Sequence, residues 1–123
     1  MGGRIVSQYR DLIIWQKGLE LSISCYELTR SFPKEEIYGL VSQIRRSAVS
    51  IPTNVAEGFR RESPADFTRF LRIAQGSIKE LKTLLEISAR VGYCTTEVTK
   101  EAGKTCSEIG KMIRSLINKL KAN

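Results

Sequence analysis

Histidine is absent from this chain of 123 residues. Histidine is the commonest general base and transition-metal ligand, so its absence removes Ser-His and Cys-His nucleophile pairs and the Glu-x-x-His motif of di-iron bundles. The chain also lacks the Walker pattern that cradles nucleotide phosphates. The sequence therefore predicts a protein that is not an enzyme and that has no metal site and no cofactor.

Cysteines and long apolar runs are also scarce. Cys25, Cys94 and Cys106 are odd in number and far apart, which argues against a disulfide framework or a zinc site. The longest aliphatic or aromatic run covers residues 12–15, far short of the roughly 20 residues that span a bilayer. The chain does not begin with a charged and then apolar leader. We therefore expect a cytoplasmic protein with no membrane segment.

Apolar residues recur every three or four positions along most of the chain, a period typical of amphipathic helices, and no stretch has the pattern of a strand. Residues that start and stop helices divide the chain into four predicted helices, at about 11–31, 34–59, 64–91 and 96–120. Short connections between long helices favour an antiparallel up-down-up-down bundle. The sequence thus predicts an all-α four-helix bundle that forms a single domain over residues 1–123.

The third predicted helix has the clearest ends. Ser63 has the position of an N-cap, Pro64 follows at the first helical position, and Asp66 lies in the first turn. Gly92 suits a left-handed residue at the other end. We expect this helix to keep these boundaries in the fold.

Two residues that disfavour helices lie inside predicted ones. Pro52 removes a hydrogen bond from the second helix and crowds the preceding turn, so we expect a kink near residues 48–51. Gly76 lies in the middle of the third helix, where glycine costs about 1 kcal/mol relative to alanine. Close approach of the second helix at Gly76 is the simplest compensation.

A polar stripe follows the second predicted helix beside its apolar face. Its members recur at helical spacing: Gln43, Arg46, Ser50, Asn54 and Glu57. A buried polar group without a hydrogen bond costs about 1–3 kcal/mol, so these side chains need partners. We expect a structural polar layer between the second and third helices, with Arg46 paired with Glu57 or Glu80. The predicted layer consists of Arg46, Ser50, Asn54, Glu57, Ser77 and Glu80.

Residues 43–58 and 73–81 carry a family resemblance. Together with residues 38–40, 67–71 and 92–93, they resemble the four-helix-bundle proteins encoded by intervening sequences of bacterial 23S ribosomal RNA genes. The resemblance implies a homo-oligomer with a ring of five subunits and no catalytic residues. The fold is similar, more distantly, to the accessory protein of diversity-generating retroelements, which works with a reverse transcriptase and nucleic acid.

One position departs from the family pattern. Gln75 stands where such proteins often carry a basic residue before Gly-Ser. If that base contacts nucleic acid elsewhere in the family, the contact is weakened in this chain.

Apolar residues beyond the needs of one bundle also predict an oligomer. They lie on the first and fourth predicted helices: Ile13, Ile14, Trp15, Leu21, Met112 and Ile117. A closed homo-oligomer would cover such a surface.

Basic residues exceed acidic ones by 20 to 13, which gives a formal net charge of +7. The excess lies in the second half of the chain, where bases follow one stripe of the fourth helix. Arginines near the turn between the second and third helices form a second concentration, and guanidinium groups suit phosphate geometry. The bases that we expect to be exposed and available for nucleic acid are Arg60, Arg61, Arg69, Lys100, Lys104, Lys111 and Arg114.

These features lead to two functional hypotheses. The first is a non-enzymatic, oligomeric module that binds RNA, or DNA, through phosphate contacts without strong sequence readout. The second is a scaffold whose basic surface docks an acidic partner protein. Taken alone, a lysine-rich helix face is also typical of a solvated surface.

Overall fold

The structure, a computed structural model, describes residues 8–122 and consists there of four α-helices and two short 3₁₀ helices, without a strand. The helices are α1 (Ile13–Thr29), α2 (Leu40–Phe59), α3 (Pro64–Arg90) and α4 (Thr96–Ala122), and the 3₁₀ helices are Tyr9–Asp11 and Lys34–Glu36. The expectation that the chain has no leader falls on residues 1–7, which lie outside the described part. None of the described helices has the length and apolar character needed to span a membrane.

The four helices form an antiparallel bundle. α1 and α3 each pack against α2 and α4, and within the described residues no Cα atom of α1 lies within 8 Å of a Cα atom of α3. Two hydrogen bonds show that α1 and α2 are antiparallel. Ser22 of α1 bonds to Ala48 of α2, whereas Thr29, later on α1, bonds to Arg45, earlier on α2. The predicted all-α, up-down-up-down four-helix bundle is confirmed.

The core lies along the bundle axis, where the apolar stripes meet. Its largest fully buried side chains come mainly from α2, α3 and α4: Ile44, Ile51, Leu71, Leu81, Leu85, Ile109 and Ile113. Full burial of one such side chain contributes about 1.5–3 kcal/mol, so the periodic pattern in the sequence accounts for the bundle. Ile14, Leu21 and Ile117 are also buried here. These three side chains therefore need no second subunit to cover them, contrary to the sequence argument.

The predicted ends of α3 are confirmed. The Ser63 hydroxyl accepts a hydrogen bond from the backbone N–H of Asp66 at 3.0 Å, and Pro64 is the first helical residue. At the other end Gly92 has a φ of 87°, in the left-handed region that favours glycine. Local sequence signals thus fix both ends of this helix.

The predicted start of α2 at residue 34 is wrong. Lys34–Glu36 forms a separate 3₁₀ turn, and Gly39 has non-helical angles (φ −109°, ψ −111°), so α2 begins at Leu40. The Glu36 carboxylate accepts a hydrogen bond from the backbone N–H of Leu40 at 3.1 Å and thereby caps α2. The other helix ends lie within two residues of the prediction.

Helix α2 continues through Pro52 because α1 compensates for the missing hydrogen bond. Proline has no N–H for the Ala48 carbonyl four residues earlier. The Ser22 hydroxyl of α1 lies 3.1 Å from that carbonyl oxygen and 2.9 Å from the Gly18 carbonyl oxygen. Gly18 faces the Pro52 ring, where a Cβ atom on residue 18 would lie 3.2 Å away. The kink near residues 48–51 stays a prediction.

The close helix approach predicted at Gly76 is found at Gly58 instead. A Cβ atom on Gly76 would meet nothing within 4 Å, whereas one on Gly58 would lie 2.8 Å from Phe70 Cβ and 2.9 Å from Phe67 Cδ1. Ser77 points toward α2, and Gly76, one residue earlier on the helix, is exposed. Gly58 is therefore the residue that lets α2 and α3 come together.

Candidate nucleic-acid interface

A groove between α3 and α4 collects six basic side chains. We call it the basic groove, and its bases are Arg72, Lys79 and Lys82 of α3 with Lys111, Arg114 and Lys121 of α4. All six residues are exposed, and the residues that line the groove include no aspartate or glutamate. The groove has a volume of ≈ 550 Å³ and a partly apolar floor that includes Ile78 and Ile117.

Helical spacing places these bases in two rows. The α3 bases are separated by seven and three residues and the α4 bases by three and seven, so each set lies on one face of its helix. Antiparallel packing sets the two rows side by side, and Lys82 Nζ reaches across to the Ser107 hydroxyl at 3.1 Å. Each row spans about 15 Å at 1.5 Å per residue.

The charge of the basic groove is not neutralised from within the bundle. Within residues 8–122, the five ion pairs involve none of the six groove bases. Like charges that face one another across a groove create a positive potential, which an anion in the groove would relieve. The arrangement therefore suits a polyanion.

The predicted bases of α4 divide between two surfaces. Lys111 and Arg114 line the basic groove, whereas Lys100 and Lys104 are exposed but lie outside it, closer to the start of α4. The basic stripe of α4 thus extends beyond the end of the basic groove.

The predicted arginines near the α2–α3 turn pair with local carboxylates. Arg60 and Arg61 both contact Glu57, at 3.4 and 2.7 Å, and Arg69 contacts Asp66 at 3.7 Å. Exposed pairs of this kind contribute only about 0–1 kcal/mol, but they offset the local positive charge. These three arginines are weaker candidates for phosphate contact than the groove bases.

Two of those arginines are also held by an aromatic ring. The Arg61 and Arg69 guanidinium carbons lie 4.9 and 4.5 Å from the centre of the Phe70 ring. Stacking of this kind fixes the guanidinium groups against the bundle surface.

The predicted set omits four of the six groove bases: Arg72, Lys79, Lys82 and Lys121. Lys121 belongs to the basic stripe that the sequence shows on the fourth helix. The α3 bases also had a signal, because residues 72, 79 and 82 share one helix face. Recognising the groove requires knowledge of which face of α3 adjoins α4.

The predicted polar layer forms only in part. The Ser50 and Ser77 hydroxyls lie 2.7 Å apart, and Asn54 Nδ2 donates to the Ser50 carbonyl and hydroxyl oxygens at 2.8 and 2.9 Å. These three residues link α2 to α3 through a compact set of hydrogen bonds. They form the centre of the predicted layer.

The remaining members of the predicted layer lie elsewhere. Glu57 bonds to Arg61 near the end of α2, while Arg46 and Glu80 are exposed. In the described part of the chain, the predicted pairing of Arg46 with Glu57 or Glu80 is not formed. A long, charged side chain on α2 reaches water more easily than a partner inside the bundle.

The cysteines include two that are protected by the core. Cys25 and Cys106 are buried, and burial raises the pKa of their thiols to about 12 and about 11. Both thiols therefore stay protonated at neutral pH, and protonated thiols are poor nucleophiles.

Comparison with known proteins identifies the family of the chain. The profile of the 23S rRNA-intervening sequence protein family matches residues 10–115. The chain belongs to this family. The match covers α1, α2 and α3 and most of α4, and it confirms the resemblance carried by residues 43–58 and 73–81. No curated protein matches this chain.

A solved structure supports the assignment. The chain is similar to a protein with unknown function from the S23 ribosomal protein family of Bacteroides thetaiotaomicron VPI-5482, known from a crystal structure. The two share 29% sequence identity with a TM-score of 0.77, over 85% of this chain and 98% of the other. The more distant resemblance to the retroelement accessory protein stays a hypothesis.

Proposed function

We propose that this protein is a non-enzymatic, oligomeric module that binds RNA through phosphate contacts in the basic groove. The observation that carries the proposal is the groove itself, with six exposed bases and no acid among its lining residues. The family description, which refers to an intervening sequence of 23S rRNA, favours RNA over DNA. The reducing cytoplasm, where thiols such as those of Cys25 and Cys106 stay free, is the compartment that we propose.

The groove is suited to a backbone and not to base readout. Its lining residues include no aromatic side chain on which a base would stack, and lysine and arginine outnumber the side-chain amides of Gln75 and Asn118. Binding through phosphates releases counterions, so the logarithm of affinity falls with the logarithm of salt concentration by about 0.7–0.9 per neutralised phosphate. We therefore expect weak sequence preference and steep salt dependence.

An oligomer would repeat the groove. The family resemblance implies five subunits, and a ring would present one basic groove per subunit to the same RNA. Simultaneous contacts raise avidity without any base-specific contact. Exposed apolar side chains, including Ile13 (56% exposed) and Tyr38 (93%), support self-association.

The test compares two variants that each lose three positive charges, one inside the basic groove and one outside it. One variant replaces Lys79, Lys111 and Arg114 of the basic groove with glutamine. The control replaces Lys100, Lys104 and Lys119, which are exposed outside the groove, with glutamine. Each variant removes three positive charges, so the two proteins have the same net charge and differ in where the charge is removed.

Affinity for a short fluorescein-labelled RNA is measured by anisotropy over a range of salt concentrations. We expect the groove variant to bind at least about tenfold more weakly, with a salt slope shallower by about 0.7–0.9 for each phosphate that it no longer neutralises. The control should change far less in both quantities. Equal weakening of the two variants would assign binding to net charge and overturn the role of the groove.

The wild-type protein provides the test of RNA binding itself. If it fails to bind the labelled RNA at about 50 mM salt, where phosphate contacts are strong, the RNA proposal is wrong. An acidic partner protein would then be the occupant to seek for the groove.

A further inference from the structure

Away from the basic groove, the bundle carries a groove of opposite charge. We call it the acidic groove; it lies between α1 and α4, and Glu20, Glu27 and Glu101 are its charged residues. Its remaining lining is largely apolar: Leu21, Cys25, Leu28, Val98 and Ala102, with Ser24 and Thr105. The lining includes no lysine or arginine. An apolar groove with acidic side chains suits a partner that is apolar at its centre and basic around it.

A surface with that complementary character lies mainly on α2 and borders α1 at Tyr26. We call it the tyrosine patch, and its apolar and basic members are Tyr26, Ile37, Tyr38, Val41, Arg45, Arg46 and Val49. No aspartate or glutamate is among the residues that line it. Tyr38 is 93% exposed and Ile37 53% exposed, so both side chains project into solvent at the edge of the patch.

The composition and rigidity of the tyrosine patch are typical of a protein interface. Tyrosine and arginine dominate interface hot spots because they combine apolar area with polar groups. The Arg45 guanidinium stacks 4.4 Å from the centre of the Tyr26 ring, and its Nε donates to the Thr29 hydroxyl at 2.9 Å. A side chain that is already held in place loses less conformational entropy on binding.

We propose that the tyrosine patch of one copy of this chain docks into the acidic groove of a second copy. This inference rests on the self-association in the proposed function and names the surfaces that produce it. The charges are complementary, because Arg45 and Arg46 would face the glutamates of the partner copy. Tyr38 projects from the surface and can therefore enter the acidic groove. The basic groove is also positively charged, but it is concave and fits another concave surface poorly.

The contact joins two different surfaces, so it is head to tail. Such contacts generate closed rings or open filaments, depending on the angle between the two surfaces. Tyr26 of the patch and Glu27 of the acidic groove are consecutive on α1, and the rest of the patch lies mainly on α2. A closed ring is the arrangement that the family resemblance implies. The basic groove remains open to RNA.

Two variants that each destroy one surface provide the test. The patch variant carries Tyr38→Ala and Arg46→Gln, and the groove variant carries Glu27→Lys and Glu101→Lys. All four positions are exposed, so the bundle should fold in both variants. The control, Glu62→Lys with Glu80→Lys, adds the same charge as the groove variant at exposed positions outside both surfaces.

Mass is measured by light scattering at micromolar concentration. We expect the wild-type protein and the control to assemble and each surface variant alone to be a monomer. An equimolar mixture of the two variants should form a dimer and nothing larger. The reason is that the intact patch of one variant meets the intact groove of the other, and both remaining surfaces are destroyed.

Three results would overturn the proposal. They are a monomeric wild-type protein, assembly of either variant alone, and a mixture of variants that stays monomeric. Assembly of one variant alone would mean that like surfaces pair with like. A mixture that stays monomeric would mean that the patch and the acidic groove do not bind each other. Both monomeric variants keep the basic groove and should still shift labelled RNA, with lower avidity, so failure of this interface is distinguishable from failure of RNA binding.

Discussion

At the scale of single residues, three glycines show how spacing between helices is set. Gly18 packs against the Pro52 ring, and Gly58 packs against Phe67 and Phe70. A Cβ atom on Gly76, by contrast, would contact nothing within 4 Å. The sequence shows that each glycine lies in a helix, but a glycine that permits contact and one that contacts nothing look alike there. The distinction appears only when the opposing helix is in place.

This contrast predicts opposite effects for the same substitution at two sites. Gly76→Ala should raise the free energy of unfolding by about 0.5–1 kcal/mol, because alanine restricts the unfolded chain and favours helix without a clash. Gly58→Ala should lower it by about 1–3 kcal/mol, because the new methyl group would overlap with Phe70 Cβ at 2.8 Å. Urea unfolding of the two variants provides the measurement. Destabilisation by Gly76→Ala would show that an unseen partner covers this face.

At the scale of helices, α1 completes the hydrogen bonding of α2. The buried Ser22 hydroxyl reaches the Ala48 carbonyl that Pro52 leaves without a helical donor. A serine in the middle of a helix usually bonds only to its own preceding turn, as Ser22 also does with Gly18. The second acceptor makes Ser22 a link between two elements.

A double-mutant cycle tests this link. Ser22→Ala should cost about 1–3 kcal/mol in the wild-type protein, because it strands a buried carbonyl. In a Pro52→Ala background the new N–H can donate to Ala48, so the same substitution should cost at least about 0.5 kcal/mol less. Both costs are measured by urea unfolding. Equal costs in the two backgrounds would mean that the serine contributes only its own packing.

The elements also show which boundaries a sequence can reveal. The start of α3 is predictable because Ser63, Pro64 and Asp66 act within one turn. The start of α2 is not, because Glu36 has two partners: the Leu40 N–H and the Tyr93 hydroxyl, 57 residues away. A carboxylate fixed by a distant tyrosine makes a cap that local patterns do not contain.

At the scale of the whole molecule, the sequence predicts the bundle better than it predicts the site. Periodicity and caps define four helices, and short connections define their order. The basic groove needs two helix faces brought side by side, so the stripe on α4 reveals Lys111 and Arg114 but not their neighbours Lys79 and Lys82 on α3. The ion pairs of Glu57 with Arg60 and Arg61, by contrast, have a local signal, because these residues are three and four positions apart.

One contact joins the two connections at the same end of the bundle. Tyr93, after α3, donates from its hydroxyl to the Glu36 carboxylate at 2.9 Å, and its ring lies 5.5 Å from that of Phe32. The α1–α2 connection is thereby tied to the α3–α4 connection. The hydrogen bond, together with burial and nearby negative charge, raises the pKa of Tyr93 above its ordinary value of 10.0.

This tie predicts an alkaline effect with a definite sign. A tyrosine whose pKa is raised in the folded state stabilises the fold below its ordinary pKa, and the contribution is lost as pH rises through the folded value. The melting temperature of the wild-type protein should therefore exceed that of Tyr93→Phe at neutral pH, and the gap should narrow as the pH rises above about 10, the ordinary tyrosine pKa. Tyr9→Phe keeps the aromatic ring and removes a phenol hydroxyl outside the tyrosine patch, so it is the control and should parallel the wild type throughout. The buried thiols of Cys25 and Cys106, with pKa values of about 12 and about 11, are common to all three proteins and cancel in the comparison. A gap that stays constant or widens with pH would show that the Tyr93 hydroxyl does not hold the two connections together.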